Sequence, residues 1–269
     1  MILKKSLAIT GLSLAVFMSA MSGTVGAVPA GSTNKSKGTV PVEQKTTTVS
    51  PSIQQLIDKE NAITLKAGDI RAYYVNYAKF NPDETLSVRY MPYKFTSVNE
   101  AAQKLSSING QTLVVPTGLP DGFSLQNITL NPVIPRFFSP EYKSLRDQFK
   151  AKAQASGKKV YSQSLKWSDT ETWISYVRNG ERVNFISAPA LTLPEGVTLA
   201  SLPGDKDEIL NINGVEAVYT VFGPHHGDLK VKLVWSSADG SMDFSLTSTK
   251  NTTETKAELE AVVAAMAAE

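Results

Sequence analysis

Residues 208–250 read EILNINGVEAVYTVFGPHHGDLKVKLVWSSADGSMDFSLTSTK, and the turns inside this stretch decide the fold. Asn213-Gly214 is the strongest short hairpin signal, because both residues accept the positive φ angles of a type I′ turn. After it, Val215, Ala217, Tyr219 and Val221 alternate with Glu216, Val218, Thr220 and Phe222, so a strand with two partly apolar faces is expected. The breaker-rich loop Gly223-Pro224-His225-His226-Gly227 comes next. Beyond it Leu229, Val231, Leu233 and Trp235 alternate with Asp228, Lys230 and Lys232, the pattern of a half-buried strand with one wet face. Asp239-Gly240 then turns the chain into Met242, Phe244 and Leu246, interleaved with Asp243, Ser245 and Thr247. Thr255, with Glu258 three residues on, reads as the cap of a closing helix whose stripe is Leu259, Val262, Val263 and Met266. The unit is an antiparallel meander backed by a helix.

Outward from this stretch the same signals recur. Residues 160–167 and 172–178 read as a hairpin through Ser168-Asp169, and Asn179-Gly180 turns the chain into residues 183–187. Residues 189–207, with three prolines, read as a long surface connection. Ser139-Pro140 opens a helix with Tyr142, Leu145 and Phe149 on one face, stopping at Ser156-Gly157. Ser97 and Glu100 open another, ending at Asn109-Gly110, and are followed by a short strand at 112–115 and a Pro- and Gly-rich turn into a strand through Leu125, Ile128 and Leu130. Residues 70–80 and 86–93 form a hairpin dense in tyrosine, preceded by a helix from Ser50-Pro51. The expected class is therefore α+β, an antiparallel sheet of meanders and hairpins backed by a few helices.

Residues 1–27 carry Lys4 and Lys5, a long apolar run and Val25-Gly26-Ala27, the pattern of a cleavable signal peptide, and an uncleaved anchor is the alternative. No second transmembrane stretch follows. Residues 28–50, rich in Thr, Ser, Gly, Pro and Lys, read as a disordered linker. The remainder divides into a helix plus tyrosine-rich hairpin (51–95) and an α+β domain (96–269). Cleavage after Ala27 removes two lysines and no acid, so 27 basic residues become 25 against 25 acidic ones. That neutral balance argues against nucleic acid as a partner. With no cysteine, stability rests on a hydrophobic core, and no lipid-anchor acceptor exists. The chain is expected to be secreted and extracytoplasmic.

The Glu100-Ala101-Ala102 helix, the Leu119-Pro120-Asp121-Gly122-Phe123 turn, the Ile212-Asn213-Gly214 hairpin, the Leu233-Val234-Trp235 strand and a short C-terminal helix follow one another in a telling order. Over residues 97–269 that order resembles the domain-of-unknown-function family numbered 4367, found near the C-terminal end of exported or membrane-tethered Gram-positive proteins. The family is similar in places to parts of envelope-stress regulators and lipoprotein-carrier-like proteins. It implies no established activity and no catalytic residues.

Candidate chemistry is sparse. His225-His226 beside Asp228 is a possible metal pair, although adjacent histidines diverge on most backbones and chelating pairs usually sit two to four residues apart. Asp205, Asp207 and Glu208 lack the ligand pattern of a calcium loop. No Gly-x-Ser-x-Gly elbow and no phosphate loop occurs, and Ser32-x-x-Lys35 has no partner motif. Lys143, Arg146, Lys150, Lys152, Lys158 and Lys159 form a basic helix face suited to solvent or to an anionic wall polymer or membrane surface. Tyr73, Tyr77, Trp167 and Trp173 are the aromatic candidates for a sugar or peptide groove. The expectation is a non-catalytic binding, sensing or interaction module at the cell envelope, needing no cofactor, with an envelope protein or cell-wall polymer as partner. The alternatives are an envelope hydrolase and a structural surface or spore-associated protein.

Overall fold

A computed structural model describes residues 51–193 and 201–268; the signal and linker segments read in 1–50, and 194–200 of the long connection, lie outside the described residues. The helices are α1 (Ile53–Asn61), α2 (Val98–Asn109), α3 (Pro140–Ala155) and α4 (Thr253–Met266). The strands are β1 (Ile70–Val75), β2 (Leu86–Tyr90), β3 (Tyr93–Phe95), β4 (Ser124–Pro132), β5 (Val160–Leu165), β6 (Thr170–Arg178), β7 (Glu181–Pro189), β8 (Lys206–Ile212), β9 (Val215–Val221), β10 (Val231–Ser236) and β11 (Met242–Ser248). They form two wholly antiparallel sheets, so the fold is α+β as expected.

The large sheet runs β3-β4-β6-β7-β11-β10-β9-β8. Its hairpins follow the local turn chemistry: Asn179 and Gly180 (φ 47° and 77°) join β6 to β7, and Asn213 and Gly214 (φ 51° and 86°) join β8 to β9. After β7 the chain skips to the far edge and meanders back, so that β11 pairs with β7. Four strand spacings, roughly 19 Å, separate β7 from β8. That distance is why the connection over 190–205 has to be long.

One face of the large sheet is apolar. Ile128, Leu130, Ile174, Phe185, Leu233 and Leu246 are wholly buried there beneath Ala101 and Leu105 of α2 and Leu259, Val262 and Val263 of α4. Phe185 sits 5.9 Å from Phe244 and 6.3 Å from Trp235, ring centre to ring centre. Each such side chain contributes about 1.5–3 kcal/mol. Cap chemistry fixes the helix starts: the Ser52 hydroxyl accepts from Gln55 N–H while Gln55 reaches back, and Ser97 and Ser139 accept from Glu100 and Tyr142 N–H.

The small sheet, β2-β1-β5, is sandwiched between two helices. Ala72 and Tyr74 of β1 pack with Tyr142, Phe149 and Ala153 of α3, while Tyr73 and Val75 pack with Ile53 of α1. The tyrosine-rich hairpin forms, with β1 ending at Val75. Its loop is organised by the buried Asn81 amide, which donates to Val75 and Thr85 carbonyls and accepts from Thr85 N–H.

Four local expectations are corrected. Residues 160–167 and 172–178 do not pair: β5 joins β1 in the small sheet and β6 joins β4 and β7 in the large one. Residues 112–115 form no strand, although Leu113 is buried in the core. Thr252, not Thr255, caps α4, and Thr255 is buried in the first turn. The supposedly wet face of β10 is buried, Lys232 included.

Candidate functional site

The chain leaves the large sheet after β4, builds α3 and β5 against β1, and returns as β6 beside β4. The two crossing segments, 132–136 and 168–169, are tied where Val133 N–H donates to Asp169 O at 3.0 Å. Between this excursion, the segment 61–65, the β2–β3 corner and the large sheet's helix-free face lies a cleft of about 1370 Å³. Arg89 fixes one wall, its guanidinium donating to the carbonyls of Glu60 (2.7 Å) and Ile63 (3.2 Å). Leu191 N–H, on the opposite wall, donates to the Asp243 carboxylate at 2.9 Å.

Strand alternation sets what the large sheet offers. Thr129, Asn131, Glu171, Trp173 and Ala188 line the cleft because they point away from α2 and α4. Ile63, Leu65, Met91, Ile134 and Trp173 give apolar surface, with Arg89, Arg136, Glu141 and Asp169 at its polar places. Burial pushes the Glu171 carboxyl up; the nearby Trp173 indole and the charges of Arg136 and Lys232 oppose that push. Burial, helped by the Glu171 charge, likewise raises Tyr90. Trp173 Nε1 is buried yet makes no hydrogen bond of good geometry among the described residues, even with Glu171 close by.

Beyond the cleft the same face carries a polar row that runs across six strands. Ser175 Oγ donates to Asn184 Oδ1 (2.7 Å) and Asn184 Nδ2 to Thr247 Oγ1 (3.1 Å). Lys232 stands in register between Thr247 and Thr220, and Thr220 Oγ1 donates to Asp207 at 2.6 Å. Burial lowers Lys232 to about 8 against the pull of Glu171, Asp243 and Asp207. A second, open hollow of about 490 Å³ is lined by Gly180, Arg182, Asp228, Lys230, Thr249 and Lys250, where Arg182 pairs with Asp228.

Of the residues singled out from sequence, Trp173 alone lines the cleft. Tyr73 is buried beneath α1 with its hydroxyl on Asn61, Tyr77 is exposed beside Phe80, and Trp167 donates to Gly68 O at 2.7 Å while packing on Tyr93. His226 is a clamp: its Nε2 lies 3.0 Å from Asp205 and its ring stacks on Phe222 at 3.9 Å, while His225 is exposed. The described residues hold no group of three metal-ligating side chains. The basic face of α3 is partly neutralised, Arg146 pairing with Asp147 and Lys150 with Glu84. Sequence reading singled out none of Arg89, Glu171 and Lys232, and reached Tyr90 only as one tyrosine of the hairpin; an acid beside a tryptophan within an alternating strand was the one available hint for Glu171.

No helix among the described residues is long and apolar enough to cross a membrane. No protein-family model, curated protein or solved structure matches the chain.

Proposed function

We propose that this chain is an exported, non-catalytic binding module of the cell envelope, related to the exported family its turns resemble, and that the cleft is its ligand site. The observation that carries this reading is the cleft itself, about 1370 Å³ on the helix-free face of the large sheet, with Ile63, Leu65, Met91, Ile134 and Trp173 as its apolar surface. Ligand sites are concave and mostly apolar with a few polar groups set among them, and Arg89, Arg136, Glu141 and Asp169 supply those groups here. The volume supports an elongated occupant: about 1370 Å³ exceeds the roughly 300–1,000 Å³ of ordinary small-molecule pockets.

Titration with anilinonaphthalene sulfonate, a fluorescent apolar anion, tests the cleft directly. Saturable binding of one dye per chain is expected. It should be lost in Met91→Asp, within the cleft, and kept in Phe137→Asp, an exposed residue not among the cleft lining. Dye binding indifferent to Met91→Asp removes the cleft from consideration.

A further inference from the structure

The hydrogen-bond phase of β2 identifies a strand edge left open on the cleft. In an antiparallel pair, opposed residues alternate between those that exchange both main-chain bonds and those whose N–H and C=O point away from the partner. Register pairs Leu86 with Tyr74, Val88 with Ala72 and Tyr90 with Ile70. Leu86 N–H does not serve β1; it donates sideways to the Tyr142 hydroxyl at 2.9 Å. Met91 N–H, in the opposite phase, turns inward to Asp69 O at 3.0 Å. Both observations place Leu86, Val88 and Tyr90 in the outward set. Tyr142 covers the first of these donors, and no backbone bond outside the sheet ladder takes Val88 or Tyr90 N–H among the described residues. Both residues line the cleft.

We infer that the cleft takes an extended peptide segment of a partner protein, added as a strand to the β2 edge. This rests on the cleft's being the ligand site. Val88 and Tyr90 offer two N–H and two C=O groups, repeating at about 6.8 Å along the edge, the spacing at which another extended main chain presents its complements. An acyl chain has no groups to meet them, and glycan hydroxyls do not repeat at that interval. Alternate side chains of such a segment find apolar surface on Ile63, Leu65, Met91, Ile134 and Trp173. Four main-chain bonds correspond to a segment of about four or five residues. Exposed strand edges are ordinarily blunted by charge, proline or cover. Here the outward pair is Val88 and Tyr90, with Pro92 entering only after the edge has passed the cleft.

The test uses the full chain and fluorescein-labelled hexapeptides with Val, Leu or Tyr at alternate positions and Thr between, followed by anisotropy and by displacement of anilinonaphthalene sulfonate. Saturable binding that displaces the dye is expected, weakened at least about tenfold when the peptide's alternate amides are N-methylated. Tyr90→Pro should weaken it similarly, because it deletes an edge N–H that β1 does not use, whereas Tyr90→Ala, which keeps the N–H, retains most of it. If Tyr90→Pro fails to fold, the N-methylated peptides still decide the matter. Peptides that do not bind while the dye still does, N-methylated peptides that bind equally well, or displacement of the dye by myristate alone overturn the strand-addition inference and leave the cleft standing. Failure of the dye itself removes both.

Discussion

Lys232 gives the sharpest quantitative expectation. Its side chain is 6% exposed, in register between Thr247 and Thr220 on the helix-free face of the large sheet. Burial takes its ammonium from the ordinary 10.5 to about 8, even though Glu171, Asp243 and Asp207 favour the charged form. A base whose folded pKa lies below its unfolded one binds fewer protons folded than unfolded between those two values, so stability rises with pH across that window. The penalty is present in full below about pH 8 and has gone above about 10.5. At about 1.4 kcal/mol per pH unit, the gain across the window is about 3 kcal/mol. Lys232→Met abolishes the titrating group while keeping a long apolar side chain. Urea unfolding followed by tryptophan fluorescence at several values from pH 7 to 10.5 should therefore show wild type gaining about 3 kcal/mol relative to the variant. Tyr74, Tyr90, Tyr176 and Tyr219, all raised by burial, are present in both proteins, so their alkaline effects largely cancel in the difference. A difference flat to within about 0.3 kcal/mol per pH unit means that Lys232 titrates like a surface lysine, and refutes the reasoning.

Three further outcomes follow from individual contacts. Arg178 holds Glu258 through two bonds of 2.8 and 2.7 Å and reaches Glu181, whose side chain is 2% exposed, at 3.3 Å. Arg178→Ala should cost about 3 kcal/mol in urea unfolding, because it strips a buried carboxylate of its nearest guanidinium; a loss below about 1 kcal/mol contradicts this. Gly118 has φ 76°, and an added Cβ would lie 2.7 Å from Ala265 Cβ on α4. Gly118→Ala should therefore cost more than about 2 kcal/mol, whereas Gly110→Ala, with the same φ and open space around it, should cost about 1 kcal/mol; equal losses would show that α4 yields freely. The Asp205 carboxylate is fully buried and accepts from Gly223 N–H at 2.8 Å and from His226 at 3.0 Å. Asp205→Ala should lower stability by about 2 kcal/mol and speed amide exchange at Gly223, and unchanged exchange there would refute the clamp.

What was legible in the sequence was what the chain settles locally. Asn179-Gly180 and Asn213-Gly214 specify their hairpins because only a few residues accept the backbone angles those turns require. The stripes of α2 and α4 are equally local. Whether β5 and β6 pair with each other is a different kind of question. Both are short alternating strands with a turn-like Ser168-Asp169 between them, and the answer depends on β1 from far upstream and β4 on the other side. The charge on Lys232 led to a wet face for the same reason. Its row gathers Ser175, Asn184, Thr247, Thr220 and Asp207 from five other strands, and no window of sequence displays that company.

The cleft is non-local in a more specific way. It exists because α3 and β5 form an excursion between two strands that are neighbours in the large sheet. The excursion docks on β1 and so brings the small sheet, with β2 at its edge, against the face carrying Glu171 and Trp173. A tyrosine or tryptophan count reaches only part of such a site, since Trp173 lines it while Tyr73 and Trp167 are occupied in joining elements together. The informative feature was an edge whose hydrogen-bond phase is fixed by Leu86 and Met91. It concerns polar groups left over once the fold is complete. Because folding almost always satisfies such groups internally, the ones remaining beside an open cleft are where a ligand has most to offer.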